Sequence, residues 1–148
     1  ITSFLSEETY SYLPGEKAES IFLTEFPVAR PEWRNEALKA DLDELFGVRS
    51  DVTKKLEELR QAKTIGSGLD AKTMVSADGK KGDVLKKYKS LLPELFIVSQ
   101  VQLRVGQFEV QAEHADGVKC ERCWYWTTDV GQNEKFPTVC AKCSTALE

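Results

Sequence analysis

The four cysteines of this chain lie in one stretch, and they constrain its fold more than any other residues. They form two Cys-x-x-Cys pairs, Cys120 with Cys123 and Cys140 with Cys143, with sixteen residues between the pairs. Two residues between cysteines let the backbone turn until both sulfurs face one point. Two such turns brought together place four thiolates in a tetrahedron, the arrangement of a closed structural zinc site. The spacing therefore predicts one structural zinc ion held by all four cysteines.

Other uses of the cysteines fit the sequence less well. Two disulfides suit a small secreted domain, but nothing in the sequence indicates secretion, and cytosolic disulfides are uncommon. A thioredoxin-like site has one Cys-x-x-Cys pair beside a strand-helix unit, not two pairs around a loop. An iron–sulfur centre stays open as an alternative, because soft thiolates also suit iron.

The composition is that of a soluble globular chain. Its 148 residues, 30% charged and 41% hydrophobic, suffice for one ordinary domain or two small ones. No apolar run has the length of a membrane span and no signal peptide is visible, so we expect no membrane partner and a cytoplasmic location. Because the first residue is Ile1 rather than Met, we expect part of a longer protein, unless processing produced this start.

Charge is distributed unevenly along the chain. The formal net charge of -4 argues against a nucleic-acid binder that works by bulk charge. Residues 1–32 carry six acids and two bases, whereas residues 66–95 carry four acids and six bases. A local basic patch can meet a phosphate backbone, although a solvated helix face accounts for the same lysines. The candidate RNA contacts in this patch are Lys80, Lys81, Lys86 and Lys87.

Apolar periodicity predicts a long helix over about residues 32–63, after a short helix that Ser6 caps. Arg49 fills one gap in its apolar stripe. The predicted stripe consists of Leu38, Leu42, Leu45, Val52, Leu56 and Leu59. At about 45 Å this helix is too long for one short helix to cover, so we expect it to come from a truncated helical bundle.

After Gly68 the apolar period changes to that of strands. Strands are predicted over residues 69–77, 96–103 and 108–112, with a helix over residues 83–92 that Pro93 limits. The sequence therefore predicts an α+β fold with a long helix, a small β-α-β-β junction unit and a C-terminal tetracysteine zinc finger. The predicted domain boundaries are 1–66, 67–117 and 118–148.

No catalytic constellation is visible in the sequence. The single histidine, His114, is predicted at a strand end, and Gly66-Ser67-Gly68 lacks the features of a phosphate-binding loop. Trp124, Tyr125 and Trp126 follow the first cysteine pair, and a module this small cannot bury three such rings. Exposed aromatic rings beside cations are typical of stacking on unpaired bases, whereas packing against the neighbouring unit is the alternative. The candidate RNA contacts here are Arg122, Trp124, Trp126 and Lys142.

Residues 119–131, Lys-Cys-Glu-Arg-Cys-Trp-Tyr-Trp-Thr-Thr-Asp-Val-Gly, followed by Phe-Pro-Thr-Val-Cys-Ala-Lys-Cys at 136–143, carry a family resemblance. They resemble the C-terminal zinc motif of bacterial isoleucyl-tRNA synthetases. Residues 7–15 and 22–27 resemble the segment that closes the anticodon-binding helical domain of that family. Further matches lie at residues 48–57, 65–71 and 95–101, so the resemblance covers nearly the whole chain. The departures are Tyr125 or Trp126 and Phe136 where the family often has histidine, and Gly68 where serine is common.

The resemblance implies a parent enzyme that joins isoleucine to its tRNA with ATP, through an aminoacyl-adenylate. The catalytic and editing domains of the family have no counterpart in this chain, so we expect a non-catalytic piece. Its implied partners are the remainder of the synthetase and the anticodon stem-loop region of isoleucine tRNA. Two alternatives remain: the zinc finger of a formamidopyrimidine-type DNA glycosylase, although the Pro-Glu that begins such enzymes is absent, and a protein-interaction zinc ribbon.

Overall fold

The computed structural model describes residues 2–148, and these form two compact units, residues 2–35 and residues 36–148. The first unit contains helix α1 (Ser3–Ser11) and two short 3-10 helices (Ile21–Leu23 and Pro31–Trp33). The second contains every strand and all further helices of the described chain. Among residues 2–148, no helix combines the length and the apolar character that a membrane span requires.

The first unit is held by hydrogen bonds more than by a core. The Lys17 ammonium group donates to the carbonyls of Tyr10, Ser11 and Leu13 at 2.6–2.8 Å, near the C-terminal end of α1. The prediction that Ser6 caps this helix was wrong. The Ser6 amide already donates to the carbonyl of Thr2, so helical bonding begins four residues earlier.

Helix α2 (Glu36–Gln61) is the long helix that the sequence predicts, but it begins later than residue 32. Pro31 starts a separate 3-10 turn, whose last residue is followed by extended backbone at Arg34. The buried stripe of α2 differs from the predicted one in two ways. Val48 fills the gap where the sequence predicts Arg49, and Leu38 is exposed. The buried residues of α2 are Leu45, Val48, Val52 and Leu56, at spacings of three and four.

A three-stranded sheet forms the centre of the second unit. Its strands are β1 (Ala71–Ser76), β2 (Gln100–Arg104) and β3 (Glu109–His114), in the order β2-β1-β3. Strand β1 pairs in parallel with β2 and antiparallel with β3. Strand β1 is shorter than predicted, because Gly68–Asp70 forms a 3-10 turn that a Ser67–Asp70 capping box stabilises.

Two helices, not one, connect β1 to β2. Helix α3 (Gly79–Lys87) begins four residues before the predicted start. Asp78, which precedes it, has an extended backbone conformation. Helix α4 (Leu92–Phe96) replaces the start of a predicted strand. Pro93 lies in the first turn of α4, where its missing N–H costs nothing, and Ile97 ends the helix at φ 57°. The α+β class is thus confirmed, with one additional helix in the junction unit.

The helices and the sheet share one hydrophobic core. Leu45, Val48 and Val52 of α2 are fully buried in it, together with the α3 residue Leu85 and the α4 residue Leu92. The strands contribute Ala71, Val75 and Val110. The β3 side chains on either side of Val110 in the sequence are exposed and polar, as expected for a sheet covered on one face.

Candidate metal centre

The four cysteine sulfurs lie within 4.8 Å of one another. The Sγ atoms of Cys123 and Cys140, from different pairs, are 3.8 Å apart. A tetrahedral metal with metal–sulfur bonds of about 2.3 Å requires sulfur–sulfur edges of about 3.8 Å. The cluster that the spacing predicts is therefore present, and its donor set fits a tetrahedral soft-metal ion.

Local hydrogen bonds turn each pair toward the centre. In the first turn, the Trp124 amide donates to the Cys120 carbonyl at 2.9 Å, and Trp124 takes φ 66°. The second turn leads into helix α5 (Ala141–Thr145), where the Cys143 amide donates to the Cys140 carbonyl at 3.0 Å. The two turns are joined directly, because the Cys140 amide donates to the Cys120 sulfur at 3.3 Å.

Electrostatics within the cluster favour a bound cation. Burial raises the pKa of the Cys120 thiol, but amide donors, that of Cys123 first, outweigh burial and lower this pKa to about 6. Burial raises the pKa of Cys123 to about 12, with help from the neighbouring thiols, and it raises the pKa of Cys140 as well. Four thiolates this close repel one another, so their joint ionisation requires a positive ion.

The cysteines also make up most of the small core of this module. Cys120, Cys140 and Cys143 are buried with Val139, while Cys123 is half-buried. Only Val130 and Phe136 pack around them as partly buried apolar residues within the described chain. Four protein donors leave no coordination position for a substrate, which is the arrangement of a structural rather than a catalytic site.

Asp129 is a site residue that cysteine spacing does not reveal. One carboxylate oxygen accepts a hydrogen bond from the Thr127 hydroxyl, and the other accepts from the Ala141 amide at 3.3 Å. It thus links the loop between the cysteine pairs to the start of α5. The only sequence signal was its place in the Asp-Val-Gly segment.

Strands β4 (Val118–Lys119) and β5 (Trp126–Thr127) pair antiparallel with each other in the metal module. Hydrogen bonds of Trp126 attach this module to the second unit's larger part. The Trp126 amide donates to the Ser99 hydroxyl at 2.7 Å, and its indole N–H donates to the Asp70 carboxylate at 3.0 Å. The edge of its ring meets His114, with ring centroids 4.6 Å apart. Trp126, a predicted RNA contact, thus uses its indole N–H and one ring edge for packing.

The other predicted RNA contacts of the module lie at its surface. Trp124 is 62% exposed. Arg122 is exposed and forms no ion pair with any residue that the structure describes, while Lys142 lies 3.7 Å from Glu94. Arg122 and Lys142 line one groove with Tyr125, between the metal module and α4, with a volume of about 410 Å³. The structure therefore places two cations and an aromatic ring along one concave surface, which Glu94 and Asp129 also line.

The predicted lysine patch has a different environment. Lys81 bonds to Glu44 at 3.0 Å and lies over the Phe108 ring, and Lys87 bonds to Asp41 at 2.6 Å. Both pairs join α3 to α2. Lys86 lies 4.0 Å from Asp83, and Lys80 is exposed. Two of the four lysines are thus engaged in tertiary ion pairs, which no periodicity indicated.

Comparisons with known proteins agree with the resemblance that the motifs carry. The chain is 40% identical to the isoleucine–tRNA ligase of Syntrophotalea carbinolica, 37% identical to that of Thermotoga neapolitana and 35% identical to that of Geobacter sulfurreducens. These alignments cover 99–100% of this chain and 17% of each relative. The chain therefore spans about a sixth of the length of these curated relatives. No protein-family model matches the chain.

Proposed function

We propose that this chain, which is related along its whole length to a segment of isoleucine–tRNA ligases, is the non-catalytic C-terminal tRNA-binding portion of such an enzyme. The observation that carries the proposal is similarity over 99–100% of the chain, joined to the four-cysteine cluster. The parent enzyme would attach isoleucine to its tRNA with ATP in the cytoplasm. Its catalytic and editing domains would lie in the remainder of the protein.

The division of labour within this portion follows the boundaries that the sequence predicts. Residues 1–66 would close the helical anticodon-binding domain, residues 67–117 would form the junction, and residues 118–148 would form the zinc module. The exposed apolar side chains of the first unit support the first part, since Phe4 is 94% exposed and Phe26 is 96% exposed. Contact with the remainder of the synthetase would cover such side chains.

One zinc ion is the proposed occupant of the cysteine cluster, and its role is structural. Cys120, Cys123, Cys140 and Cys143 would hold it as thiolates, and bound zinc would supply folding free energy to a module with a very small core. Four-sulfur coordination also suits an iron–sulfur centre, so metal analysis of the purified chain distinguishes the two.

The proposed RNA-binding surface is the exposed side of the metal module. Trp124 would stack on an unpaired base in the anticodon stem-loop region, while Arg122 and Lys142 would contact phosphates. The lysines of the patch, with the exposed Lys80 first among them, would add electrostatic attraction that does not depend on base sequence. Its support is the exposure of Trp124 and the unpaired guanidinium group of Arg122 beside the groove.

A titration of labelled isoleucine tRNA tests this function. Replacement of Trp124 by alanine should weaken binding about 5- to 150-fold, because stacking on a base contributes about 1–3 kcal/mol. Trp33 provides a matched control, since it has the same exposed fraction, 62%, in the other unit. The affinity of the unaltered chain should fall as salt concentration rises.

Two outcomes of this titration would contradict the proposal. One is equal loss of affinity in the Trp124→Ala and Trp33→Ala variants, which would assign no special role to the metal module. The other is binding that does not change between low and high salt, because phosphate contacts release counterions. Adenylate formation by this chain alone would contradict its non-catalytic role.

A further inference from the structure

Strand β3 has a free edge, because it lies at the end of the strand order β2-β1-β3. The Ala115 amide donates to the Asp70 carbonyl at 2.8 Å, which sets the alternation of the antiparallel ladder. In such a ladder every second residue bonds to the partner strand, so residues 109, 111 and 113 bond toward β1. The amide and carbonyl groups of Val110 and Ala112 therefore point away from β1, along the free edge.

A groove of about 710 Å³ runs beside this edge, between α2 and β3. Phe108, Val110 and Ala112 line it on the β3 side, together with Glu109 and Gln111. Phe108 is 38% exposed, whereas Val110 is 7% exposed. The charges of its α2 wall cancel in two ion pairs, Lys54 with Asp51 at 2.9 Å and Lys55 with Glu58 at 2.8 Å. A free strand edge beside a helix is the geometry in which an extended peptide adds a strand to a sheet.

The β3 side chains that alternate with the apolar ones are polar or acidic, and their charge favours a basic ligand. Glu109, Gln111 and Glu113 are exposed on the uncovered face of the sheet. Glu109 accepts a hydrogen bond from the Gln111 amide group at 2.8 Å and meets no cation among residues 2–148. Glu113 shares the Lys72 ammonium group with Asp116, each at 2.8 Å. The edge is therefore acidic on one face and apolar on the other.

We propose that this groove binds an extended polypeptide segment of about six residues, the length of β3, as a fourth strand of the sheet. Small apolar side chains of the segment face the groove, and lysine or arginine side chains alternate with them beside Glu109 and Glu113. A second copy of the chain is a poor occupant, since antiparallel pairing of two β3 strands sets glutamates against glutamates. The same carboxylates repel an RNA backbone.

The probe for this surface is a synthetic hexapeptide that alternates lysine and valine, added to the full chain. Amide hydrogen exchange by NMR should slow at least about tenfold at Val110 and Ala112 once the peptide is saturating, because these amides gain a partner. The Gln111 amide, which bonds toward β1, should change little. A peptide with glutamate in place of lysine should bind at least about tenfold more weakly, a difference of about 1.4 kcal/mol.

Charge reversal at the edge gives a matched pair of variants. Glu109→Lys should weaken binding of the lysine–valine peptide several-fold, whereas Glu134→Lys, the same change at an exposed loop position, should not. Both positions are exposed, so both variants should fold. Unchanged exchange at Val110 and Ala112, equal affinity for the acidic peptide, or equal loss in both variants would overturn the proposal. So would protection of these amides by self-association, or by a single-stranded RNA octamer in place of the peptide.

Discussion

Asp70 shows how one side chain can connect two parts of the second unit. One carboxylate oxygen accepts from the amides of Gly66 at 3.0 Å and Ser67 at 2.8 Å, and the other accepts from the Trp126 indole. Burial raises the pKa of Asp70, but these N–H donors outweigh burial and hold the pKa below its ordinary value of 3.8. Gly66 and Ser67 lie within four residues of Asp70 along the chain, whereas Trp126 is a tertiary partner 56 residues away.

Asp70→Asn should lower the free energy of unfolding by about 1–3 kcal/mol at pH 7, because hydrogen bonds to a carboxylate are lost. The folded-state pKa lies below the unfolded one, so the contribution is fully present above about pH 4. It is lost as pH falls through the folded pKa. Urea unfolding at pH 7 and pH 3 should therefore show a smaller difference between the variant and the original chain in acid.

Asp83→Asn is the matched control for this experiment, since the Asp83 side chain is 80% exposed. It should shift stability by no more than about 0.5 kcal/mol at either pH. A difference for Asp70→Asn that stays constant between pH 7 and pH 3 would show that its ionised form contributes nothing.

The two tryptophans of the metal module have different environments, although only one residue lies between them. Trp126 lies in β5 and donates to Asp70, while Trp124 takes φ 66° at the end of the first cysteine turn and is exposed. The sequence predicts RNA contact for both, because composition does not show which ring a short strand turns inward. The hydrogen bonds of Trp126 supply that information.

At the scale of elements, α2 organises the second unit. Its buried stripe faces the sheet. On α2, Asp41 forms an ion pair with Lys87 of α3, and Glu44 forms one with Lys81. The ammonium group of Lys87 and the hydroxyl of Tyr88 lower the pKa of Asp41, and the pKa of Lys87 is raised in return. These pairs orient α3 on α2, and they engage two of the four lysines that the sequence offers as candidate RNA contacts.

Val48→Ala should destabilise the second unit by about 2 kcal/mol, because it removes two methyl groups from a fully buried position and leaves a cavity. Arg49→Ala, one residue later on the exposed face of the same helix, should change stability by less than about 0.5 kcal/mol. Thermal unfolding followed by circular dichroism measures both. Equal effects of the two substitutions would contradict the register of α2.

The helix–strand boundary after Pro93 illustrates why local sequence can mislead. The apolar run after Phe96 has strand-forming composition, yet Pro93 is well placed in the first turn of a helix. Ile97 then takes a left-handed conformation, which costs a β-branched residue energy that only surrounding packing can offset. Leu92, Phe96 and Val98 are all buried in the core, and this burial provides that compensation.

For the whole molecule, the two cores of the second unit are separate. The larger core joins α2, α3, α4 and the sheet, and the smaller one contains the cysteines. All four cysteines of the candidate metal centre lie in or against the smaller core. The hydrogen bonds of Trp126 connect the metal module to the sheet, so loosening of the module need not unfold the larger core.

Removal of the metal tests this independence. We expect about one zinc ion per chain by elemental analysis, and we expect a strong chelator or Cys140→Ser to release it. NMR signals of residues 118–148 should then lose dispersion, while those of α2 and the sheet persist. Lower pH should also release the metal, because protons compete for the thiolates. Unchanged spectra in the Cys140→Ser variant would show that the cysteines are not a structural site.

Features whose causes are local could be predicted from the amino-acid sequence. Two-residue spacing turns each cysteine pair inward, helical periodicity produces α2, and alternation produces strands, so the metal cluster and the α+β class were predicted. The motifs along the chain also identified the resemblance to isoleucine–tRNA ligases that the comparisons confirm. Each of these features depends on residues that are close together along the chain.

Contacts between residues that are distant along the chain depend on the folded structure. The pairing of Lys81 with Glu44, the indole bond of Trp126 to Asp70, and the groove between α2 and β3 join segments far apart in sequence. Such contacts form where packing of the core brings the segments together, and many sequences with the same local pattern would pack differently. The composition of a segment therefore indicates that a side chain is polar or aromatic, while the fold decides what it touches.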